Sequence, residues 1–448
     1  MTAVRSTRFH IVGIGGAGMS AIARVLMERG HGVTGSDNGR WPLSEALARD
    51  GVAVYETFAA DHVPGAEIVI RSSAYKEDNV EVRAARDGQI QVWTRHDAWR
   101  YLTQDQRVVA IAGTHGKSTT TAMTWLALRA GGIDASLICG AAILGLGTNA
   151  HAGRTNVFVI EADEYDNTFL ALEPEVAVVT TIDHDHVDIF PTRESYREAF
   201  MQFYSRIARR GVLIACADDP GARALAERAR ATELSPVVVT YGRDPSASAQ
   251  LKELGARAYD LGGKRFALSV PGWHNALNAS AAILVAQHFR VPMQDVLTRG
   301  LGAFVGVERR LERLGVAGEI SVIDDYAHHP AEIAAGLDAL GDKTSVVVFQ
   351  PHTPSRLAAF FDDFVRVLKR PRAVVIVETF RSAREQADPH GRARKLAEAV
   401  GGRYAADGET AAQIAAELAR PGDAVLVMGA GDVRPVGERV LELLRTPV

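Results

Sequence analysis

The stretch Val108-Val109-Ala110-Ile111-Ala112-Gly113-Thr114-His115-Gly116-Lys117-Ser118-Thr119-Thr120-Thr121 decides how this chain is read. Its branched apolar run predicts a buried strand that breaks at Gly113 and opens into a helix over about residues 118–129. Strand, glycine turn, Lys-Ser and helix make the layout of a phosphate-binding loop. The first N–H groups of a helix lack intrahelical partners and carry partial positive charge, so they hold phosphate oxygens. Glycine lets the backbone approach without a Cβ. Lys117 adds a point charge and Ser118 a hydroxyl suited to magnesium. Only Thr114 and His115 separate the two glycines, fewer than in the usual loop. The competing reading is a plain strand–turn–helix junction with a solvated lysine; the strand before and the helix after favour phosphate.

Outward from this loop, 448 residues suggest about three domains. Hydrophobic residues make up 47% and charged residues 23%, ordinary for a globular protein. A net charge of −4 argues against wrapping nucleic acid or coating an anionic membrane. Cys139 and Cys216 lie in apolar settings without metal-ligand spacing, so free thiols in a reducing compartment are expected. Arg5 and Arg8 precede an apolar stretch, but glycines break it and it fits a strand and turn better than a signal peptide. No run approaches the length of a membrane span. A cytoplasmic enzyme is expected.

Residues 1–102 read as a small α/β domain. Phe9-His10-Ile11-Val12 is a strand, followed by Gly13, Gly15 and Gly18 in G-x-G-x-x-G spacing and a helix over 20–29. A second strand over 32–35 runs into Ser36-Asp37, at the distance a dinucleotide fingerprint places its acid. Such glycines hold any diphosphate at a helix start, that of a UDP-sugar included.

Residues 103–308 read as the nucleotide domain, with a mostly parallel sheet. Val157-Phe158-Val159-Ile160 runs into Glu161-Ala162-Asp163-Glu164-Tyr165-Asp166. The strand over 176–181 runs into Asp183-His184-Asp185-His186-Val187-Asp188. Both acidic bursts follow strand ends, the edge where open parallel sheets bind ligands. Glu161 and His186 are expected as magnesium ligands beside bound phosphate. Asp163, Glu164, Asp166 and Asp188 are expected as helix caps or solvated loop acids. Residues 140–149 read as a Gly/Ala/Leu-rich segment. Trp273 opens an Ala-rich helix to about His288, with Asn275 and Asn278 on one face. Each reads as a cap, a core amide or a purine contact. Residues 306–311 read as a hinge carrying Arg309 and Arg310.

Residues 309–448 repeat the strand–helix alternation of a doubly wound parallel sheet. Strands over 321–323, 345–349, 373–377 and 424–428 are expected, with one helix following Gln350–Arg356 and running to about Leu368.

Three motifs now agree. Gly13-Ile14-Gly15-Gly16-Ala17-Gly18-Met19, Ala112-Gly113-Thr114-His115-Gly116-Lys117-Ser118-Thr119-Thr120 and Asp324-Asp325-Tyr326-Ala327-His328-His329-Pro330 together resemble the Mur ligases, ATP-dependent ligases of bacterial cell-wall precursors. The resemblance covers essentially the whole chain. Residues 161–166, 349–356 and Ser382-Ala383-Arg384-Glu385 are most similar to the branch that joins L-alanine to UDP-N-acetylmuramate. A branch attaching a recycled tripeptide to the same sugar is the alternative within the family.

The resemblance implies three α/β domains: a Rossmann-like UDP-binding domain, a central ATPase-like domain and a Rossmann-like C-terminal domain. Gly13, Gly15, Gly16, Ala17, Gly18, Met19, Asp37 and Ser72 would hold the UDP-sugar. Gly113, Thr114, His115, Gly116, Lys117, Ser118, Thr119, Asn275, Arg310 and Asp325 would hold ATP. Ser118, Glu161 and His186 would ligate magnesium, or manganese in its place. Tyr326, His328 and Arg356 would form the alanine site, a bidentate guanidinium suiting its carboxylate. Lys117, His186 and His328 would carry the chemistry. Thr353 stands where many relatives carry another arginine. No lysine lies between Lys117 and Lys252, so the carbamylated lysine of several Mur ligases has no counterpart there. The partners implied are UDP-N-acetylmuramate, L-alanine and ATP, with no nucleic acid, no membrane insertion, and a monomer or weak homodimer. Outside the family, the N-terminal glycines alone suit a nicotinamide dehydrogenase, and the phosphate loop alone suits a regulatory ATPase.

Overall fold

A computed structural model describes residues 6–187, 189–232, 236–341, 344–380, 388 and 390–445. Asp188 and the Ser382-to-Glu385 segment lie outside the described residues. The chain divides into two compact units. One comprises residues 1–184, 193–269 and 276–305; the other comprises 185–192, 270–275 and 306–448.

The first unit contains two sheets. β1 (Arg8–Val12), β2 (Gly32–Ser36), β3 (Ala53–Tyr55), β4 (Ile68–Arg71) and β5 (Gln91–Trp93) form a wholly parallel sheet in the order 3-2-1-4-5. The order reverses at β1, so the glycine turn after β1 lies at the switch point where such sheets bind ligands.

The second sheet has ten strands. They are β6 (Arg107–Ala112), β7 (Ser136–Ile143), β8 (Thr148–His151), β9 (Val157–Glu161), β10 (Val176–Val179), β11 (Val212–Cys216), β12 (Val237–Gly242), β13 (Ala249–Gly255), β14 (Ala258–Leu261) and β15 (Lys264–Ala267). Their order is 15-14-13-12-11-10-6-9-7-8. β6 to β12 pair in parallel apart from β8, which returns antiparallel to β7. The glycine-rich segment over 140–149 is therefore largely a strand pair. β6 has buried apolar residues on both faces, as a central parallel strand must. It is flanked by β9 and β10, so the phosphate loop emerges between the ends of the two strands that carry the acidic bursts.

The other unit holds β16 (Glu312–Ala317), β17 (Ile320–Asp325), β18 (Thr344–Phe349), β19 (Ala373–Val377), β20 (Arg403–Ala405) and β21 (Ala424–Met428), in the order 16-17-21-18-19-20. All pair in parallel except β16, an antiparallel edge. Alternate residues feed opposite cores. Val346, Val348, Val425 and Val427 face one apolar cluster, whereas Val347, Phe349, Leu426 and Met428 face the other. The single helix expected to Leu368 is two, Pro354–Ala359 and Phe361–Leu368, meeting at Phe360. No helix among the described residues is long and apolar enough to cross a membrane.

Candidate active site

The loop after β6 is held by the end of β10. Thr114 N–H donates to the Thr181 carbonyl (2.9 Å), His115 N–H to Thr181 Oγ1 (2.9 Å), and Thr180 Oγ1 to the His115 carbonyl (2.6 Å). Gly113 has φ +131°, and a Cβ there would sit 2.2 Å from Thr180 Oγ1. Gly116 starts the helix Lys117–Ala130 with φ +80°, where a Cβ would meet Asn278 Oδ1 at 2.6 Å. Both positions require glycine. Asn278 Oδ1 also accepts the Thr120 hydroxyl (3.1 Å), so this amide serves the loop from the helix Trp273–His288.

Lys117 folds back over its own loop. Its Nζ donates to the carbonyls of Gly113 (2.6 Å) and Thr114 (3.2 Å) and to Glu164 Oε2 (3.0 Å). Burial pulls the ammonium down, but Glu164, Asp163 and Glu161 outweigh it and hold Lys117 above the usual lysine range. Glu164 is 0% exposed and also accepts the Tyr196 hydroxyl on Oε1 (3.0 Å). It is neither a side-chain cap nor a solvated acid, contrary to the sequence expectation. Asp163 meets Arg95 (3.0 Å), whose guanidinium also donates to Thr168 (2.9 Å).

Ser118 and Glu161 come together. The Ser118 hydroxyl donates to Glu161 Oε1 (3.1 Å), while Gly140 N–H donates to Oε2 (2.6 Å). Two hard oxygen donors beside a helix N-terminus suit magnesium. His186 has φ +51° and belongs to the segment 185–192 of the other unit.

At the N-terminal glycines, the Ser36 carbonyl accepts the N–H of Gly13 (2.8 Å) and Ile14 (3.1 Å). Asp37 closes the turn: Oδ2 accepts Gly15 N–H (2.7 Å) and Oδ1 accepts the Tyr75 hydroxyl (3.0 Å). Gly13 lies against Ser72 and Tyr75, where a Cβ would come within 3.0 Å of Ser72 Cβ. Gly16 leads into the helix Ala17–Glu28, which contains Ala17, Gly18 and the buried Met19. Asn149 donates to the Ala17 carbonyl (3.0 Å).

In the other unit, β17 delivers Asp325 into a buried place, where Oδ1 accepts Ala327 N–H (2.9 Å). Burial pushes its carboxyl up to about 7 against the pull of Arg310. Arg310 lies over the Tyr326 ring (5.3 Å) and reaches Glu332 (3.4 Å). His328 Nδ1 lies 3.0 Å from the Tyr326 carbonyl. A carbonyl only accepts, so Nδ1 carries the hydrogen and Nε2 is left as the basic nitrogen. Burial pushes His328 down to about 4, so its ring is neutral at pH 7. Arg356 donates through Nε (3.0 Å) and Nη2 (2.8 Å) to Asp185 Oδ1. Thr353 caps the helix of Arg356 by accepting its N–H (3.3 Å). Asn275 donates to the Pro271 carbonyl (2.6 Å).

Three family models match the chain: the Mur ligase family catalytic domain over residues 8–107, the Mur ligase middle domain over 111–286, and the Mur ligase glutamate ligase domain over 309–431. This chain belongs to the Mur ligase family. A UDP-N-acetylmuramate–L-alanine ligase of Arthrobacter sp. (strain FB24) is 42% identical, covering 99% of this Mur ligase and 97% of its relative. One from Saccharopolyspora erythraea is 41% identical over 97% and 92%. The crystal structure of UDP-N-acetylmuramate-alanine ligase from Thermotoga maritima matches at a TM-score of 0.80 and 26% identity, covering 97% of this chain and 98% of that one. A murein peptide ligase from Psychrobacter arcticus, at 24% identity and a TM-score of 0.76, shares the fold.

Sequence reading of this Mur ligase missed Glu164, Tyr196, Arg95 and the Asp185 carboxylate. All four act through partners distant in sequence. The available signal was an acid count in two strand-end bursts greater than magnesium needs.

Proposed function

We propose that this Mur ligase joins L-alanine to the lactyl carboxylate of UDP-N-acetylmuramate at the expense of ATP. The observation that carries the reading is the set of near full-length relatives at 41–42% identity, each an L-alanine-adding ligase. The phosphate loop with Lys117, Ser118 and Glu161 gives the reading its nucleotide chemistry. On this reading residues 1–102, 103–308 and 309–448 take the UDP-sugar, ATP and alanine respectively, and the reaction belongs to the cytoplasm.

A lactyl carboxylate oxygen attacks the γ-phosphorus, the bond to the β-bridging oxygen breaks, and ADP leaves an acyl phosphate. The alanine nitrogen then attacks the acyl carbon, the C–O bond breaks, and phosphate departs. Most of the protein's task is positioning and charge neutralisation. Lys117 binds the outer phosphates and Gly113 to Thr119 cradle them. Ser118, Glu161 and His186 would hold magnesium, which when bound neutralises phosphate charge. Asn275, Arg310 and Asp325 complete the nucleotide contacts, with residues 302–312 as the hinge that lets them reach it. Arg356 takes the alanine carboxylate beside Tyr326, and His328 Nε2 accepts the amine proton, a role that its neutral ring and fixed tautomer support.

Oxygen-18 in the lactyl carboxylate tests this directly. One labelled oxygen is expected in the released phosphate, together with a product heavier by one alanyl residue. Unlabelled phosphate, or no amide product, overturns the reading.

A further inference from the structure

An ammonium has three N–H donors, and the Lys117 ammonium spends them on the Gly113 carbonyl, the Thr114 carbonyl and Glu164. In this position it points into its own loop. Glu164 is fixed in place: it is fully buried, and Tyr196 from the helix Arg193–Ser205 donates to its Oε1. The Tyr196 oxygen also lies 2.9 Å from the Thr114 hydroxyl, which is tied to the Asp183 backbone at 2.8 Å. A rigid carboxylate thus occupies the place of an anionic ligand on the loop's lysine.

We propose that Glu164 is a positioning residue that competes with the nucleotide's outer phosphates for Lys117, and so sets how tightly nucleotide binds. The inference rests on the reading of this loop as the nucleotide site. Binding phosphate requires the ammonium to give up the loop carbonyls and share its charge between Glu164 and the incoming anion. The buried carboxylate also repels the polyphosphate. Charge-assisted contacts of this kind are stronger than neutral ones, so an amide of the same shape at this position weakens the internal hold and relieves the repulsion. Tyr196 works in the opposite sense. Its hydroxyl satisfies part of the carboxylate, and without it Glu164 leans harder on Lys117.

The test is calorimetric titration of the full chain with ADP and magnesium, with ATP kinetics alongside. Glu164→Gln is expected to bind ADP roughly three- to tenfold tighter, with the KM for ATP and kcat both lower. Tyr196→Phe is expected to bind ADP roughly two- to threefold more weakly. A merely structural network makes both variants weaker. Unchanged or weaker binding by Glu164→Gln, or tighter binding by Tyr196→Phe, overturns the proposal; if Glu164→Gln does not fold, Glu164→Ala, which removes the same charge, is titrated in its place and held to the same outcomes. Failure of the wild-type chain to bind ADP overturns the phosphate-site reading as well. Wild-type binding without tightening in Glu164→Gln overturns this proposal alone.

Discussion

Arg356 grips Asp185 with two N–H donors, at 3.0 and 2.8 Å, in a pair whose side chains are 9% and 7% exposed. A guanidinium assigned to a substrate carboxylate thus already holds one from its own chain. Removing one member of a buried pair leaves the other charge unmet. Asp185→Ala is therefore expected to lower stability by about 3–5 kcal/mol, and Arg356→Met in the same chain to recover much of it. Denaturant melts of the single and double variants check this. Burial alone would raise the Asp185 carboxyl; Arg356 and nearby histidines reverse that and hold it well below the usual range. Its stabilising contribution is then present above the unfolded pKa of about 4 and is lost as pH falls below it. Asp185→Ala should flatten the acid limb of stability.

Asp325 behaves in the opposite sense. Burial raises its carboxyl to about 7, so the folded chain binds a proton that the unfolded chain has released. Stability from this group falls as pH rises from about 4 to about 7. Asp325→Asn keeps an acceptor for Ala327 N–H and should be more stable than wild type at pH 8 by on the order of 2 kcal/mol, with little difference at pH 4. Thermal melts at the two pH values measure this. The same variant should lose ATP turnover if Asp325 meets the nucleotide.

The glycines separate folding from binding. Gly113→Ala places a Cβ 2.2 Å from Thr180 Oγ1 at φ +131°, and is expected to cost about 3 kcal/mol or more. Gly16→Ala meets only the Gly13 carbonyl, at 3.7 Å, with φ −68°. It should fold as wild type yet bind the UDP-sugar at least tenfold more weakly, because the methyl fills the diphosphate's approach to the helix start. Melting temperature and UDP-sugar titration of both variants give the comparison.

Much of this was legible in the sequence because the signals are local. Gly113 to Ser118 announce themselves in six consecutive residues, and the strands at 373–377 and 424–428 stand where their apolar runs predict. What was not legible depends on distant partners. Glu164 and Asp185 look like any loop acid; their burial is decided by Lys117 and Tyr196, and by Arg356. β16, Glu-Arg-Leu-Gly-Val-Ala, has no run of branched apolar residues to announce a strand and follows directly on the segment read as a hinge. β20 has three residues, too few for a period to show. The turn within β7 and β8 hides behind its glycines.

Lys117→Ala should abolish ATP-driven chemistry while sparing the first sheet. ADP release is expected to fall at least about a hundredfold, the scale of losing one charge aimed at the transferring phosphoryl group. UDP-sugar affinity should stay within about twofold, since among the described residues the hydrogen bonds of the N-terminal glycine turn run to Ser36 and Asp37 and not to this side chain. Steady-state assay and titration of one preparation check both halves.

The most direct test of the central claim is ADP release by the wild-type chain with magnesium, ATP and each combination of UDP-N-acetylmuramate and an acceptor, from L-alanine, glycine and L-serine to the recycled tripeptide. Sustained turnover is expected only when the UDP-sugar and an acceptor are both present, with the highest kcat/KM for L-alanine. Equal turnover without the UDP-sugar, or a preference for the tripeptide over L-alanine, would contradict it.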